Sequence, residues 1–352
     1  MPLIHGGDKV GFEAEYGRAP LDFSANVSPL GLPQGVRRAV INALDTADAY
    51  PDPLCRALTA ALAQHEALNP AWILCGNGAA DLIFRLCYAA KPKTALILAP
   101  TFAEYEQALC AAGCKVQMHF LQRSENFAVT EALLADITPA VNMLFLCQPN
   151  NPTGQVCSAA LLQKIVHRCA ETGTRLVADE CFVGFLDDPC AASVKAFLPQ
   201  HNLVILKAFT KLYAMAGVRL GYLLTRDTAL LAAMRAAGQP WAVSSLASAA
   251  GIAALKETQY VEKVRSLIDT ERAFLRTEFE RMGIHCMGGA ANFIFFHTNC
   301  TDFVQKMRQK GVLVRDCANY RGLTQGDCRV AVRTHAENAA LVAAVREVLD
   351  AR

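Results

Sequence analysis

No apolar run in this 352-residue chain approaches the roughly 20 residues that a membrane-spanning helix needs. An excess of either charge is also missing. The 34 Lys and Arg against 32 Asp and Glu leave a net charge of +2, which removes the electrostatic footprint of a nucleic-acid or anionic-membrane binder. Charged residues make up only 19% of the chain and hydrophobic ones 53%, a balance that excludes a disordered polymer and predicts large buried cores. The opening stretch, MPLIHGGDKVGFEAEYG, has neither the basic lead nor the apolar centre of a secretory signal, which points to the cytoplasm. In that compartment the 14 cysteines read as reduced interior residues rather than a disulfide framework. Cys110 and Cys114 stand at helical spacing near His119, but no second ligand pair of zinc-like spacing accompanies them, so no metal site is expected. There is no GxGxxG dinucleotide fingerprint, internal repeat or low-complexity linker.

What the chain does contain is an alternation of short apolar runs with amphipathic helical stretches. Helical period covers residues 34–44 and 55–68. A strand at 72–75 runs into Gly76-Asn77-Gly78-Ala79, after which Leu82, Ile83, Leu86 and Cys87 resume the helical period. Further strands are expected at 95–98, 115–121, 142–147, 175–178 and 203–206, with helices at 102–112, 129–137 and 158–173. Buried strands separated by amphipathic helices predict an α/β fold with a mostly parallel, doubly wound sheet, whose ligands sit beyond the carboxyl ends of the strands. Beyond Tyr222 the pattern becomes α+β. Helical stretches are expected at 227–238, 244–282, 301–310 and 337–349, and strands at 291–297, 312–315 and 328–333. The expected organisation is therefore an N-terminal arm (1–35) packing with a small domain, a large domain (36–226), and connecting helices with the small C-terminal domain (227–352).

Lys211 follows the apolar run 203–206 on a loop off a core strand. Burying an ammonium there is costly unless it has a task, and a lysine in an apolar site gives up its proton readily and can form a Schiff base. Arg219 offers an always-charged fork to a phosphate. The turn at Gly78 and Ala79, between strand and helix, presents free N–H groups and the positive end of a helix dipole to an anion.

At these residues the chain resembles a family. Thr210-Lys211, Gly217 and Arg219-Leu220-Gly221 are similar to the cofactor-lysine motif of fold-type I pyridoxal phosphate (PLP) enzymes, and Asn151-Pro152-Thr153-Gly154 is similar to that family's asparagine motif. The resemblance implies the aspartate aminotransferase-like fold, with PLP as cofactor and a homodimer as assembly. It gives Lys211 the catalytic amine and Asp179 the ring nitrogen. Asn151 takes the phenolic oxygen, and Phe102 stacks on the ring, with Tyr105 the lesser substitute. Gly78, Ala79, Thr210 and Arg219 hold the cofactor phosphate, with Tyr50 supplied by the neighbouring subunit. Two positions depart from the pattern: Ala208 stands where a phosphate-binding hydroxyl is usual, and Phe182 where most aminotransferases carry tyrosine.

Within the family, His5-Gly6-Gly7, the segment 22–31, Tyr50-Pro51-Asp52-Pro53, Thr101-Phe102, Phe182 and Arg329-Val330-Ala331-Val332-Arg333 resemble the histidinol-phosphate aminotransferase group and, inside it, the threonine-phosphate decarboxylases of cobalamin biosynthesis. That implies decarboxylation of L-threonine O-3-phosphate to (R)-1-aminopropan-2-yl phosphate. Transamination of histidinol phosphate and decarboxylation of serine phosphate are the alternatives. Arg329 would take the substrate carboxylate, and Arg315, His5 and Asn26 the substrate phosphate, with Arg321 and Arg333 as helpers.

Overall fold

A computed structural model describes residues 5–300 and 302–350. Residues 1–4 of the expected arm and Thr301, the expected start of the helix at 301–310, lie outside the described residues. The architecture is the aspartate aminotransferase-like fold. Its large sheet has seven strands in the order Ile73–Gly76, Gly221–Leu224, Leu203–Ala208, Arg175–Asp179, Met143–Cys147, Thr94–Ala99 and Lys115–Phe120. Gly221–Leu224 runs antiparallel to both its neighbours and the other strands are parallel.

The inner strands read as unbroken apolar runs because both faces are covered, whereas the edge strand Lys115–Phe120 is partly exposed. Leu96, Leu98, Leu144, Leu146, Leu176, Ala178, Leu203 and Ile205 pack under the helices Arg56–Glu66, Ala159–Thr172 and Ser245–Ala254. The alternate residues Ala95, Ile97, Met143, Phe145, Val177, Val204 and Leu206 face Gly78–Ala90, Ala103–Ala111 and Thr228–Ala237. This is the period of two of a pleated strand, with each face closed by a helical layer.

A smaller antiparallel sheet, in the order Arg315–Asp316, Asp327–Ala331, Phe293–His297 and Cys286–Met287, packs on the helices Thr258–Arg281, Phe303–Gln309 and His335–Asp350. Several expected elements differ. The polar opening segment contains a helix, Lys9–Tyr16, whose N-cap Asp8 accepts a bond from the Gly11 N–H at 3.0 Å and which ends at Gly17 in the left-handed region. The single strand expected at 312–315 is two: Val312–Leu313 pairs with Leu21–Asp22, and Arg315–Asp316 joins the small sheet. The chain changes partner at Val314. The helix expected at 129–137 shrinks to Leu133–Asp136, and the stretch 244–282 breaks at residues 255–257 into two helices. Cys110 and Cys190 are exposed thiols rather than interior residues.

Candidate active site

The carboxyl ends of the parallel strands deliver the candidate residues to one edge of the large sheet. Ile73–Gly76 leads into the turn at Asn77, and Gly78 opens the 13-residue helix Gly78–Ala90. Gly78 has φ of +82°, and a Cβ there would lie 3.0 Å from the Arg219 guanidinium. A β-carbon on Gly221 would meet the Ala79 nitrogen at 2.8 Å, which is why the neighbouring strand can lie so close to the turn. Arg219 itself sits at φ of +61°, where only a well-determined loop holds a non-glycine residue, and its Nη1 donates to the Ala216 carbonyl at 3.1 Å. Helix N-terminus, bare glycine and guanidinium together make a cradle that fits a phosphate group. Thr210 is buried on the same loop, and Ala208 brings no hydroxyl. Gly217, by contrast, has open space around it, so close packing does not require a glycine there.

Asp179 ends its strand as a buried carboxylate. Its Oδ1 accepts from the Cys181 N–H at 3.0 Å and its Oδ2 from the Tyr105 hydroxyl at 2.6 Å. Tyr105 is completely buried and stacks on Phe145 at 4.9 Å, so it serves as the partner of Asp179 rather than as a ring-stacking surface. Burial and the Asp179 charge push the Tyr105 hydroxyl far above its ordinary pKa, which keeps it a donor. Tyr105→Phe would leave a buried carboxylate oxygen unpaired. The cofactor-free variant should unfold at lower denaturant, with a stability loss of about 1–3 kcal/mol; an unchanged midpoint would refute this account of the bond.

Half-buried Phe102 precedes the helix carrying Tyr105, their rings meeting edge-on at 5.5 Å. The loop holding Asn151 is fastened to this segment by Asn150, a residue outside the expected site. The Asn150 amide donates to the Pro100 carbonyl at 3.0 Å and to the Thr153 hydroxyl at 2.9 Å, and its oxygen accepts from Thr101 at 2.8 Å.

Lys211 lies at the centre. Burial lowers its pKa below the ordinary lysine value, and the Arg329 and Arg219 guanidiniums add to that, while Cys181 and Glu104 oppose it. Its carbonyl accepts from the Ser28 N–H at 2.9 Å, which ties the N-terminal segment to the lysine loop. Arg329 donates to the Asn151 side-chain oxygen and, at 2.9 Å, to the Ser24 carbonyl; its Nε is buried without a partner among the described residues. Phe293 lies under its guanidinium at 5.4 Å, and Phe182 packs edge-on against Phe293 at 5.2 Å, so the phenylalanine in place of tyrosine backs the arginine.

Arg315 is the register partner directly opposite Arg329 across two antiparallel strands. It donates to the Asp316 carbonyl and to Asn319 at 2.9 Å and lies over the Tyr320 ring. Asn26 is buried, with its side-chain oxygen unpartnered among the described residues. His5 reaches Glu104 at 2.9 Å, its ring 6.4 Å from Phe102.

Tyr50 is 80% exposed and stacks on Trp241, whose neighbour Ala242 accepts from Asn77 of the phosphate turn at 3.2 Å. Two expected helpers point elsewhere. Arg321 pairs with Glu106 at 3.0 Å, and Arg333 with Glu337 at 2.7 Å. Tyr105, Asn150, Ser24 and Glu104 had no local signal of their roles, because each acts on a residue distant in sequence.

Comparison with known proteins agrees with the geometry. The family model for aminotransferase class I and II matches residues 18–345. The chain is 37% identical over 351 residues to the threonine-phosphate decarboxylase of Salmonella typhimurium, covering 98% of this chain and 96% of that one. It is 33% identical over 332 residues to the histidinol-phosphate aminotransferase of Symbiobacterium thermophilum, covering 92% and 89%. Among solved structures it is similar to the histidinol-phosphate aminotransferase of Clostridium acetobutylicum, with a TM-score of 0.88 and 26% identity over 94% of this chain and 99% of that one. An amine of lowered pKa, a buried aspartate and a phosphate cradle at one edge of the large sheet fit PLP, and the chain belongs to the class I and II aminotransferase family of PLP-dependent enzymes.

Proposed function

We propose that the protein decarboxylates L-threonine O-3-phosphate, giving (R)-1-aminopropan-2-yl phosphate and carbon dioxide, as a step of cobalamin biosynthesis. The observation that carries this reading is the register of Arg315 against Arg329. Residues directly opposite in an antiparallel pair have β-carbons about 5 Å apart and side chains on the same face of the sheet, so both arginines can serve one ligand. A short carbon chain bearing both a carboxylate and a phosphate supplies an anionic group for each. The identity to a threonine-phosphate decarboxylase supports the same substrate.

When bound, PLP supplies an electron-poor ring that takes up the electron pair left at the substrate Cα as carbon dioxide departs. Asp179 holds the proton on the ring nitrogen, with Tyr105 and the Cys181 N–H fixing the carboxylate in place. Asn151 would bond the phenolic oxygen of the bound cofactor, Phe102 would cover its ring, and Gly78, Ala79, Thr210 and Arg219 would hold its phosphate. Arg329 grips the substrate carboxylate, and Arg315, His5 and Asn26 hold the substrate phosphate away from the plane in which it would be expelled. Lys211 then hands its proton to Cα, and its lowered pKa suits that transfer.

Tyr50 would complete the cofactor site of a second protomer in a homodimer, which its exposure on the surface beside Trp241 suits. The reading keeps the division into an arm (1–35), a large domain (36–226) and a small domain with connecting helices (227–352). Among the described residues no helix is long and apolar enough to cross a membrane; a cytoplasmic location belongs to the proposal.

The test is to supply the PLP-loaded protein with O-phospho-L-threonine and no oxo-acid acceptor. Carbon dioxide and the amino phosphate are the expected products. Absence of carbon dioxide, together with glutamate formed from histidinol phosphate and 2-oxoglutarate, would replace the decarboxylase with an aminotransferase.

A further inference from the structure

We propose that Glu104 is a positioning residue for substrate phosphate, its carboxylate seating His5 and the N-terminal arm over the pocket as a phosphate-binding cation. The inference rests on the reading of His5 as a phosphate ligand. Glu104 lies in the first turn of the helix Ala103–Ala111, two residues beyond Phe102. Its side chain is only 12% exposed. One carboxylate oxygen lies 2.9 Å from His5 Nε2, and the other is buried with no hydrogen-bond partner among the described residues. A carboxylate desolvated to this degree and half unpaired is expensive to keep in a fold. Lys211 feels its charge, so the carboxylate belongs to the same pocket.

The arm that carries His5 is seated from the other side as well. The Gly7 N–H donates to the Ser24 hydroxyl at 2.7 Å, and that hydroxyl donates to Asp22 at 2.6 Å. A β-carbon on Gly6 would collide with the Ser24 carbonyl oxygen at 2.3 Å, so the arm lies flat on Ser24 only because it is glycine there. The same Ser24 carbonyl accepts from Arg329 at 2.9 Å. The strap therefore runs from Glu104 through His5, Gly6 and Gly7 to Ser24 and Arg329.

The charge order explains why an acid sits in a pocket meant for anions. Placed directly against a phosphate, the Glu104 carboxylate would repel it. With the imidazolium between them the charges alternate. In that form both ring nitrogens donate, Nε2 to Glu104 and Nδ1 to a phosphate oxygen.

The test titrates PLP-loaded enzyme with O-phospho-L-threonine and, separately, with L-threonine, following the change in cofactor absorbance on binding. That signal reports binding whether or not carbon dioxide follows. Glu104→Gln, which keeps the shape and removes the charge, should weaken O-phospho-L-threonine about tenfold and leave L-threonine unchanged. His5→Ala, on the exposed arm, should weaken the phosphorylated ligand at least as much, and the double variant no more than His5→Ala alone. Equal weakening of both ligands, additive losses, or full affinity in Glu104→Gln would overturn the assignment. The expected pattern with no carbon dioxide evolved would leave the role of Glu104 standing and remove the decarboxylase reading alone.

Discussion

Lys211→Ala is expected to fold, to take up cofactor weakly, and to slow the proposed decarboxylation of O-phospho-L-threonine by roughly three to four orders of magnitude. Among the described residues no ion pair holds the Lys211 ammonium, and two guanidiniums push against it. Its presence costs the cofactor-free fold stability. A lysine whose folded pKa lies below its unfolded value binds fewer protons when folded, so that penalty is full at low pH and is relieved as pH rises toward the ordinary lysine pKa. The cofactor-free wild type should therefore gain stability over that alkaline range, and Lys211→Ala should lose this rise while being at least as stable at neutral pH. Denaturant midpoints across pH and product formation check the two halves separately. A variant retaining a tenth of the wild-type rate would remove Lys211 from the proton transfer.

Glu66→Gln should produce the largest loss of stability, because Glu66 holds together a buried charge network behind the catalytic strands. Its carboxylate, with a side chain only 3% exposed, accepts from Tyr222 at 2.6 Å, Lys195 at 2.9 Å and Lys207 at 3.2 Å. Burial pushes the Glu66 carboxyl up, but the Lys207 ammonium, the Tyr222 hydroxyl and the Lys195 ammonium outweigh it and bring it down to about 2. Lys207 lies on the strand that leads to Lys211, and Glu180, its other acidic neighbour at 3.9 Å, directly follows Asp179. Removing the acid from this cluster costs about 2–4 kcal/mol, less than for a fully buried pair because Lys195 and Lys207, 36% and 20% exposed, can turn partly to water.

The pH signature is specific. A carboxyl depressed from 4.5 to about 2 contributes stability that is fully present above its unfolded pKa and is lost as pH falls toward 2. The difference between wild type and Glu66→Gln should be full at pH 7 and shrink through that acid window. Glu180, raised chiefly by burial and also by the Glu66 charge, pulls the other way, and in Glu66→Gln it loses that neighbour. A difference that stays constant down to pH 3 would show that packing, and not charge, sets the cost.

Much of this site was legible in the chain because it is written locally. The apolar runs at 95–98, 142–147, 175–178 and 203–206 lie within the observed strands to a residue or two, since a strand buried on both faces needs an unbroken apolar sequence. Carboxyl-terminal placement then followed from topology alone, putting Gly78, Phe102, Asn151, Asp179 and Lys211 at one edge. The small sheet was less legible. Its strands are as short as two residues, and the segment 312–316 serves two sheets in turn, which no periodicity so brief can announce.

The sequence by itself determined which residues are candidates for the chemistry. Only the tertiary structure decided what holds them. Tyr105 reaches Asp179 from 74 positions away, Arg329 reaches Ser24 from 305, and Tyr222 reaches Glu66 from 156. Local pattern fixes helices, strands and turns because neighbours along the chain are always neighbours in space. Hydrogen-bond and charge partners depend instead on which strands lie side by side and in what register, and that is settled only when the whole core packs.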